Sequence, residues 1–245
     1  APSANLTIWS PTDPTLCTPP GMLRIALIPG DGIGTEVVPQ ARRVLEAVAR
    51  ADGLDVQLTE WPVGAERWLR DGVGITDDEL RSLSEDHDAI LLGALGDPRV
   101  PGNEHAQDIL RGLRSRLELH VNFRPCVLLA PELCPLKRFK VPVRLEIFSE
   151  NTESGYDQDV DPRARVELVV RVALAFARAK GRTRVTLVDN PDAPGRAQDL
   201  WRQVFTETAW EYPGIQREAV HVDALVVDLV RGPERYAVLV TSSLF

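Results

Sequence analysis

Three alternating glycines, Gly30, Gly32 and Gly34, form the stretch of this sequence best suited to holding a ligand. They lie in GDGIG, between a short apolar run, Leu23 to Ile28, and a helical pattern that begins at Thr35. Glycine permits positive φ and lets a ligand or another backbone approach closely. The spacing differs from the GxGxxG fingerprint of dinucleotide-binding turns. The residues alone therefore leave two interpretations open, a ligand-facing turn and a tight strand-to-helix connection.

A cluster of arginines is the second group that could do chemistry. Arg111, Arg114 and Arg116 lie close together, and Arg124 follows. Arg111 and Arg114 are three residues apart in a segment that can be helical, so they share a face. Guanidinium groups bind carboxylates bidentately, so this face could hold an acidic ligand. The alternative is a solvated basic face on an acidic protein.

Strand and helix patterns alternate through the first half of the chain, and these elements must position the glycines and arginines. A strand at Leu23 to Ile28 precedes a helix, and another strand spans Val56 to Trp61. A capping box at Thr76 to Glu79 begins a further helix, and the apolar run Ala89 to Ala94 is typical of a buried parallel strand. The first helix carries one apolar face, formed by Val37, Ala41, Val44, Leu45 and Val48.

This alternation predicts a parallel sheet with right-handed crossovers. Ligands of such sheets gather at the carboxyl ends of the strands. Two glycine-rich, acidic turns fall there, GDGIG and Gly96-Asp97-Pro98.

The second half of the chain contains further strand and helix patterns. Helices are predicted over Arg165–Ala179, Arg196–Trp210 and Asp223–Arg231, and strands over Val143–Phe148, Val185–Val188, Val220–Val222 and Ala237–Val240. The helix at Arg165 to Ala179 is strongly apolar, which indicates that it faces a core or a partner.

Composition limits the possible classes of protein. The chain has 245 residues and a net charge of −8, and it contains no basic run, so nucleic acid is not expected as a partner. No apolar stretch reaches the length of a membrane span, so no membrane contact is expected. The cysteines Cys17, Cys126 and Cys134 lack paired or metal-like spacing, which suits a cytoplasmic protein, and the latter two are predicted to be packing residues. The single histidines His87, His105, His120 and His221 are predicted to be structural.

Several motifs, in order along the chain, resemble the isocitrate and isopropylmalate dehydrogenase family of oxidative decarboxylases. The match is nearest to the isopropylmalate and tartrate dehydrogenase branch. The stretches that carry it are LIPGDGIGTEV, VPGNEHAQDILRGLR, HVNFRP, ENTESGY, LVDN, VDALVVDLV and VTSSLF. The last of these resembles a family segment that continues into Gly-Asp, so the resemblance implies a C-terminally truncated member.

The resemblance implies a fold, an activity and cofactors. The expected fold is an isopropylmalate dehydrogenase-like α/β architecture, with a parallel or mixed sheet flanked by helices. The expected reaction oxidises a small 2-hydroxy diacid, such as 3-isopropylmalate or tartrate, by hydride transfer and then removes carbon dioxide. NAD and Mg²⁺ or Mn²⁺ are the implied cofactors, and a homodimer is the implied assembly.

Site residues follow from the resemblance position by position. Arg114 and Arg124 match substrate-binding arginines, and Tyr156 matches the catalytic acid. Asp223 matches one metal carboxylate, and Gly32 and Ile33 match the cofactor-binding turn.

Three family positions carry different residues here. Ser149 occupies a substrate arginine position, Asn190 occupies the position of the catalytic lysine, and Asp192 replaces an asparagine. An asparagine side chain cannot act as a base, and a serine cannot form a charged clamp on a carboxylate. Two further metal carboxylates of the family lie beyond Phe245.

The resulting hypothesis divides the chain into three parts. Residues 1–21 are expected to be a disordered or foreign tail, 22–120 a first α/β subdomain that is incomplete, and 121–245 a second subdomain on the substrate and dimer side. The predicted function is an NAD- and metal-dependent oxidative decarboxylase that is impaired or inactive as this chain. The alternative is a catalytically silent paralogue or fragment that binds a dicarboxylate or a subunit.

Overall fold

A computed structural model of the chain describes residues 21–136, 143–151, 162–189 and 197–242. The chain divides into two compact units, unit 1 (Ala1–Glu118) and unit 2 (Leu119–Phe245). Each contains a sheet with helices in its connections, which confirms the predicted α/β fold class. Nearly all of the tail predicted at residues 1–21 lies outside the described residues.

Unit 1 is built on a three-stranded parallel sheet in the order β2-β1-β3. Its elements are β1 (Leu23–Ile28), α1 (Gly34–Asp52), β2 (Val56–Glu60), α2 (Ala65–Asp71), α3 (Asp77–Asp86), β3 (Ala89–Leu92) and α4 (Glu104–Arg111). A π-helical turn, Gly112–Arg116, follows α4. The capping box predicted before α3 is confirmed, since the N–H of Glu79 donates to the Thr76 hydroxyl and the Glu79 carboxylate accepts from the Thr76 N–H.

The core of unit 1 lies on one face of this sheet. Ala26 and Ile28 of the central strand are fully buried there, together with Leu83 of α3 and Ile109 of α4. Because successive strand residues point to opposite faces, Leu27 is buried on the other face. The central strand thus fixes the end of the sheet from which GDGIG emerges.

Helix α1 leaves much of the apolar face predicted from its sequence exposed. Val37, Val44 and Val48 are all exposed, and α1 buries Val38 and Ala49 instead. Unit 1 therefore leaves an apolar helix face open to solvent.

Strand β3 is also less buried than its apolar sequence predicts. All four of its residues are half-buried, because among the described residues it pairs with β1 alone. It is an edge strand of the described sheet, so one row of its backbone N–H and C=O groups has no ladder partner there.

Unit 2 contains a five-stranded mixed sheet in the order β4-β5-β8-β6-β7. Its elements are β4 (Val121–Val127), β5 (Arg144–Glu150), α5 (Pro162–Ala179), β6 (Arg184–Asp189), α6 (Ala197–Ala209), β7 (Gln216–His221), α7 (Val222–Arg231) and β8 (Val238–Thr241). Only β4 runs antiparallel to its neighbour, and β5, β8, β6 and β7 are parallel.

Strand β4 is the element that the periodicity did not predict. Its sequence, VNFRPCV, contains a proline, and proline is tolerated here because β4 is an edge strand of the sheet. The prediction that Cys126 and Cys134 are packing residues is wrong for Cys126, which is exposed on this strand, while Cys134 is half-buried.

Helices cover both faces of the unit 2 sheet. Phe148 of β5 packs against Phe176 of α5, which places α5 on one face. Leu225 and Leu229 of α7 join a core cluster with Leu145 on the opposite face. The apolar side of α5 is buried within the unit, so it faces a core rather than a partner. Within the described ranges, no helix combines the length and apolar character needed to cross a membrane.

One buried aspartate joins four segments of unit 1. The Asp31 carboxylate accepts hydrogen bonds from the backbone N–H groups of Ala65 at 2.6 Å and Gly96 at 2.9 Å. Its Oδ2 also lies 2.7 Å from Nε2 of the fully buried His105. We call this arrangement the Asp31 clasp. It connects the turn after β1 with the start of α2, the turn after β3 and helix α4.

The clasp predicts that Asp31→Ala is among the most damaging substitutions in unit 1. Three donors, two of them buried, would lose their acceptor, and each unsatisfied group is costly, so we expect a loss of about 3–5 kcal/mol in the free energy of unfolding. Urea unfolding followed by tryptophan fluorescence measures this loss. Asp55→Ala is the control, because Asp55 is exposed and its side chain makes no hydrogen bond to another described residue. Equal losses for the two variants would contradict a structural role of the clasp.

Candidate ligand-binding site

The glycines of GDGIG have two different roles. A Cβ at Gly30 would lie 2.2 Å from the Ala94 carbonyl oxygen, and one at Gly34 would lie 2.1 Å from the Pro29 carbonyl oxygen. These two glycines therefore permit a backbone to approach closely. Gly32 has φ +47°, and nothing lies within 4 Å of its Cβ position. The next residue, Ile33, is 59% exposed, so Gly32 and Ile33 form the open part of the turn.

The start of α1 uses its own backbone donors within the turn. The N–H groups of Gly34, Thr35, Glu36 and Val37 donate to carbonyl oxygens of residues 31–33. An anion such as a phosphate binds at a helix start through free N–H groups. The open part of the turn consequently offers an apolar side chain and space rather than hydrogen-bond donors.

The second glycine-rich turn places its carboxylate in an ion-pair network. Asp97 accepts hydrogen bonds from the guanidinium and the backbone N–H of Arg99, and Arg99 also pairs with Glu66. The Arg99 side chain is the main cause that lowers the pKa of Asp97 to about 2. Asp97 is thus an ionised partner of Arg99 at neutral pH.

The two predicted substrate arginines are both exposed and unpaired. Arg114 lies in the π-helical turn of unit 1, and Arg124 lies on β4 of unit 2. Neither guanidinium makes a hydrogen bond or ion pair with a described residue, whereas neighbouring Arg116 pairs with Asp77. An unpaired guanidinium is available to bind a carboxylate.

Polar side chains line one face of the unit 2 sheet at the carboxyl ends of its parallel strands. Ser149 of β5 lies directly opposite Asn122 of β4 and Thr241 of β8. Residues directly opposite one another share a face, so these three form one row across three strands. Arg124 is two residues along β4 from Asn122 and shares the same face. The structure therefore brings together two of the positions identified in the sequence, Arg124 and Ser149.

This row, which we call the hydroxyl row (Asn122, Ser149 and Thr241), contains two buried hydroxyls. Ser149 is 6% exposed and Thr241 is 4% exposed. The Thr241 hydroxyl is fully buried and has no hydrogen-bond partner in the part of the chain that the structure describes. Thr241 was not singled out in the sequence, because its neighbour Ser149 is 92 positions away and only the strand pairing joins them.

The opposite face of the same strand ends carries carboxylates. Glu150 ends β5 and Asp189 ends β6, and both are almost completely buried. Arg202 of α6 donates from Nε to one oxygen of Asp189. The Asp189 carboxylate is thus ion-paired on the face opposite the hydroxyl row.

Asp223, the predicted metal carboxylate, stands nearly alone at the start of α7. Its side chain is 90% exposed, and the nearest ionisable partner is His221, whose Nδ1 lies 3.8 Å from its carboxylate and accepts the Asp223 N–H. The described residues contain no group of three or more histidine, cysteine, aspartate or glutamate side chains that could hold a metal ion. Since Mg²⁺ and Mn²⁺ need several oxygen ligands, these residues do not fit a metal site.

Three predicted positions, Tyr156, Asn190 and Asp192, lie outside the described residues. Their roles stay predictions from the sequence. Asp31 and His105 are the residues whose importance the sequence did not indicate. They belong to the clasp, which joins residues 74 positions apart.

Comparison with known protein sequences identifies proteins that are similar to this chain. A family model described as isocitrate/isopropylmalate dehydrogenase matches residues 24–245. The 3-isopropylmalate dehydrogenases of Corynebacterium kroppenstedtii and Streptomyces coelicolor are 37% and 38% identical to this chain, over 91% of its length and 70% and 68% of theirs.

Solved structures give a similar result. The isocitrate dehydrogenase from Methylococcus capsulatus has a TM-score of 0.76 and 30% identity, covering 91% of this chain and 67% of that one. A beta-decarboxylating dehydrogenase from Thermococcus kodakarensis has a TM-score of 0.68 and 27% identity, over 91% of this chain and 65% of that one.

The network around Asp97 predicts a specific dependence of stability on pH. Because folding lowers the pKa of Asp97 from 3.8 to about 2, its contribution to stability is complete above the ordinary value and is lost as the pH falls towards about 2. Asp97→Asn should therefore flatten the change in the urea midpoint across this range, with Asp55→Asn as the control. An unchanged slope in Asp97→Asn would show that the ion pair with Arg99 does not contribute.

Proposed function

The chain belongs to the isocitrate/isopropylmalate dehydrogenase family, and on this premise we propose that unit 2 binds a small 2-hydroxy acid but is impaired in oxidative decarboxylation. The first candidate ligands are diacids such as 3-isopropylmalate and tartrate. The proposal separates ligand binding, for which the described side chains are suited, from turnover, for which they are not.

The observation that carries the proposal is the position of Arg124. Its guanidinium pairs with no described residue, and Arg124 shares one sheet face with the hydroxyl row, which lies at the carboxyl ends of the parallel strands where ligands bind. A free cation beside buried hydrogen-bonding groups is suited to an acid that also carries an oxygen function. Arg114 of unit 1, whose guanidinium also pairs with no described residue, stays a candidate from the sequence alone.

Impaired turnover is supported by the residue types at the positions where the family carries its chemistry. Asn190 cannot accept a proton as the family lysine does, and removal of a general base costs roughly 10²- to 10⁴-fold in rate. Ser149 forms no charged clamp on a carboxylate. Tyr156 remains as the proposed acid, but an acid alone does not complete the proton transfers.

The cofactors differ in how well the described residues suit them. A divalent metal ion would rely on Asp223, which belongs to no group of three or more potential metal ligands among the described residues, so we assign no step to a metal. NAD would contact the open part of the GDGIG turn, where Gly32 leaves space and Ile33 offers an apolar surface. Both residues stay candidates for cofactor binding.

A catalytically silent protein that binds a dicarboxylate or another subunit is the second candidate function. It is favoured by the apolar face that α7 leaves exposed, formed by Val226, Val227 and Val230. An exposed apolar stripe on a helix is typical of a subunit interface. We propose that a homodimer would form there, with Asp223 at the start of the same helix.

The proposal predicts that the purified chain does not form NADH. When it is mixed with 3-isopropylmalate or tartrate, NAD and Mg²⁺ or Mn²⁺, we expect no growth of NADH absorbance above the buffer blank, because the base position is an amide. An active 3-isopropylmalate dehydrogenase under the same conditions controls for the reagents. Clear turnover by this chain would refute the impairment.

Binding of the acid should depend on Arg124. Methionine keeps much of the length of the arginine side chain and removes its charge, so Arg124→Met should weaken the binding of any bound acid by roughly 10- to 100-fold. The rise in thermal midpoint on adding the acid measures this effect.

Arg217→Met is the matched control. Arg217 is also an exposed arginine of unit 2 and lies on β7, the other edge strand, where it stacks on Trp210. It should leave the thermal shift unchanged. If Arg124→Met binds acids as well as the parent chain does, the proposed site is wrong.

A further inference from the structure

The hydroxyl row contains a buried hydroxyl group without a hydrogen-bond partner among the described residues. Thr241 Oγ1 is buried and has no partner among the described residues, and Ser149, directly opposite on β5, makes no side-chain hydrogen bond to a described residue either. Leaving one buried hydroxyl unsatisfied costs about 1–3 kcal/mol. The row lies at the ligand-binding end of the strands, so a ligand bound there would supply the missing partner of Thr241.

The charges around the hydroxyl row limit which kind of molecule can supply this hydrogen-bond partner. Arg124 is the cation on this face of β4, and it is sufficient for one carboxylate. The row itself is neutral, and each hydroxyl supplies a single O–H donor. On the opposite face at the same strand ends, Asp189 is ion-paired with Arg202 and supplies no net charge to the row. A second carboxylate at the row would thus meet few donors and no cation of the row itself.

An uncharged oxygen fits the row better. A ligand hydroxyl or carbonyl oxygen needs one or two hydrogen bonds, which Ser149, Thr241 and the Asn122 amide can provide. It carries no charge that would need a cation at the row.

We infer that Ser149 and Thr241 bind an uncharged oxygen of the ligand, so that unit 2 selects a 2-hydroxy monocarboxylic acid over the corresponding dicarboxylic acid. This inference rests on the proposed function and specifies its substrate class. Arg124 binds the carboxylate, and the hydroxyl row binds the neutral oxygen.

Two acids that differ by one carboxylate test the inference. Removing the second carboxylate from 3-isopropylmalate gives 2-hydroxy-4-methylpentanoate, so the two ligands share their hydroxyl and their branched apolar group. Isothermal titration of the full chain with each acid should give a dissociation constant for the monoacid about tenfold lower than that for the diacid.

Two variants test whether the hydroxyls cause this preference. Thr241→Val replaces the hydroxyl with a methyl group of similar shape, and Ser149→Ala removes it without adding bulk. Each should weaken monoacid binding by about three- to tenfold, which corresponds to the loss of one hydrogen bond.

Thr186→Val is the matched control. Thr186 of β6 lies on the same face, and its buried hydroxyl also has no partner in the described part of the chain. It lies opposite Leu239 rather than beside Thr241, and its strand β6 is three strands from β4, which carries Arg124, so it lies outside the proposed site. Thr186→Val should therefore leave the affinity for both acids unchanged, and circular dichroism checks that all three variants are folded.

The possible results separate this inference from the proposed function. Tighter binding of the monoacid, weakened by Thr241→Val and Ser149→Ala but not by Thr186→Val, would support it. Tighter binding of the diacid, or monoacid binding that Thr241→Val leaves unchanged, would overturn the inference alone. If neither acid binds in a manner that depends on Arg124, the proposed function is refuted as well.

Discussion

Unit 1 depends on the burial of one carboxylate. Asp31 lies in a turn where three alternating glycines bring backbones close together, and its two oxygens accept from Ala65, Gly96 and His105. A buried charge is tolerated only when its hydrogen-bonding capacity is filled, so the three donors must hold their positions for the turn to exist. The same requirement explains Gly64, since a Cβ there would lie 2.6 Å from Asp31 Oδ1. The acidic residue of the turn is thus structural, and the part left for a ligand is Gly32 and Ile33.

In unit 2, the order of the strands in the sheet positions the side chains of the candidate site, and no buried charge is needed for this. β8, the last described strand in the chain, inserts between β5 and β6, and this insertion places Thr241 beside Ser149. β4 adds Arg124 from the antiparallel edge. The side chains of the candidate site therefore come from three strands that are far apart in sequence, while each strand is held by core residues on its own alternating positions. Substitution at Ser149 can change ligand chemistry while the buried positions beside it, such as Phe148, stay apolar.

The sequence predicted those features that local patterns determine. The capping box at Thr76 and the alternation of strands and helices are properties of a few neighbouring residues, and the structure confirms them. The burial of an element was harder to predict, because it depends on which other elements pack against it. The apolar run of β3 is half-buried because β3 is an edge strand, and much of the apolar face of α1 is exposed. β4 was missed because an edge strand needs no apolar alternation and tolerates Pro125. The row of Ser149 and Thr241 could not be predicted, since it requires the register of two strands that are not consecutive.

Under the proposed function, a serine at the family's arginine position, Ser149, has a different consequence from an asparagine at the family's lysine position, Asn190. Replacing a base removes a chemical step and leaves affinity largely intact, because a proton acceptor contributes mainly in the transition state. Replacing a guanidinium by a hydroxyl on a buried strand changes which ligand can be desolvated there, because an unpaired carboxylate is far more costly to bury than a hydroxyl. Under the proposed function, the two substitutions act on separate properties: Asn190 would limit turnover, while Ser149 would determine which acid is bound.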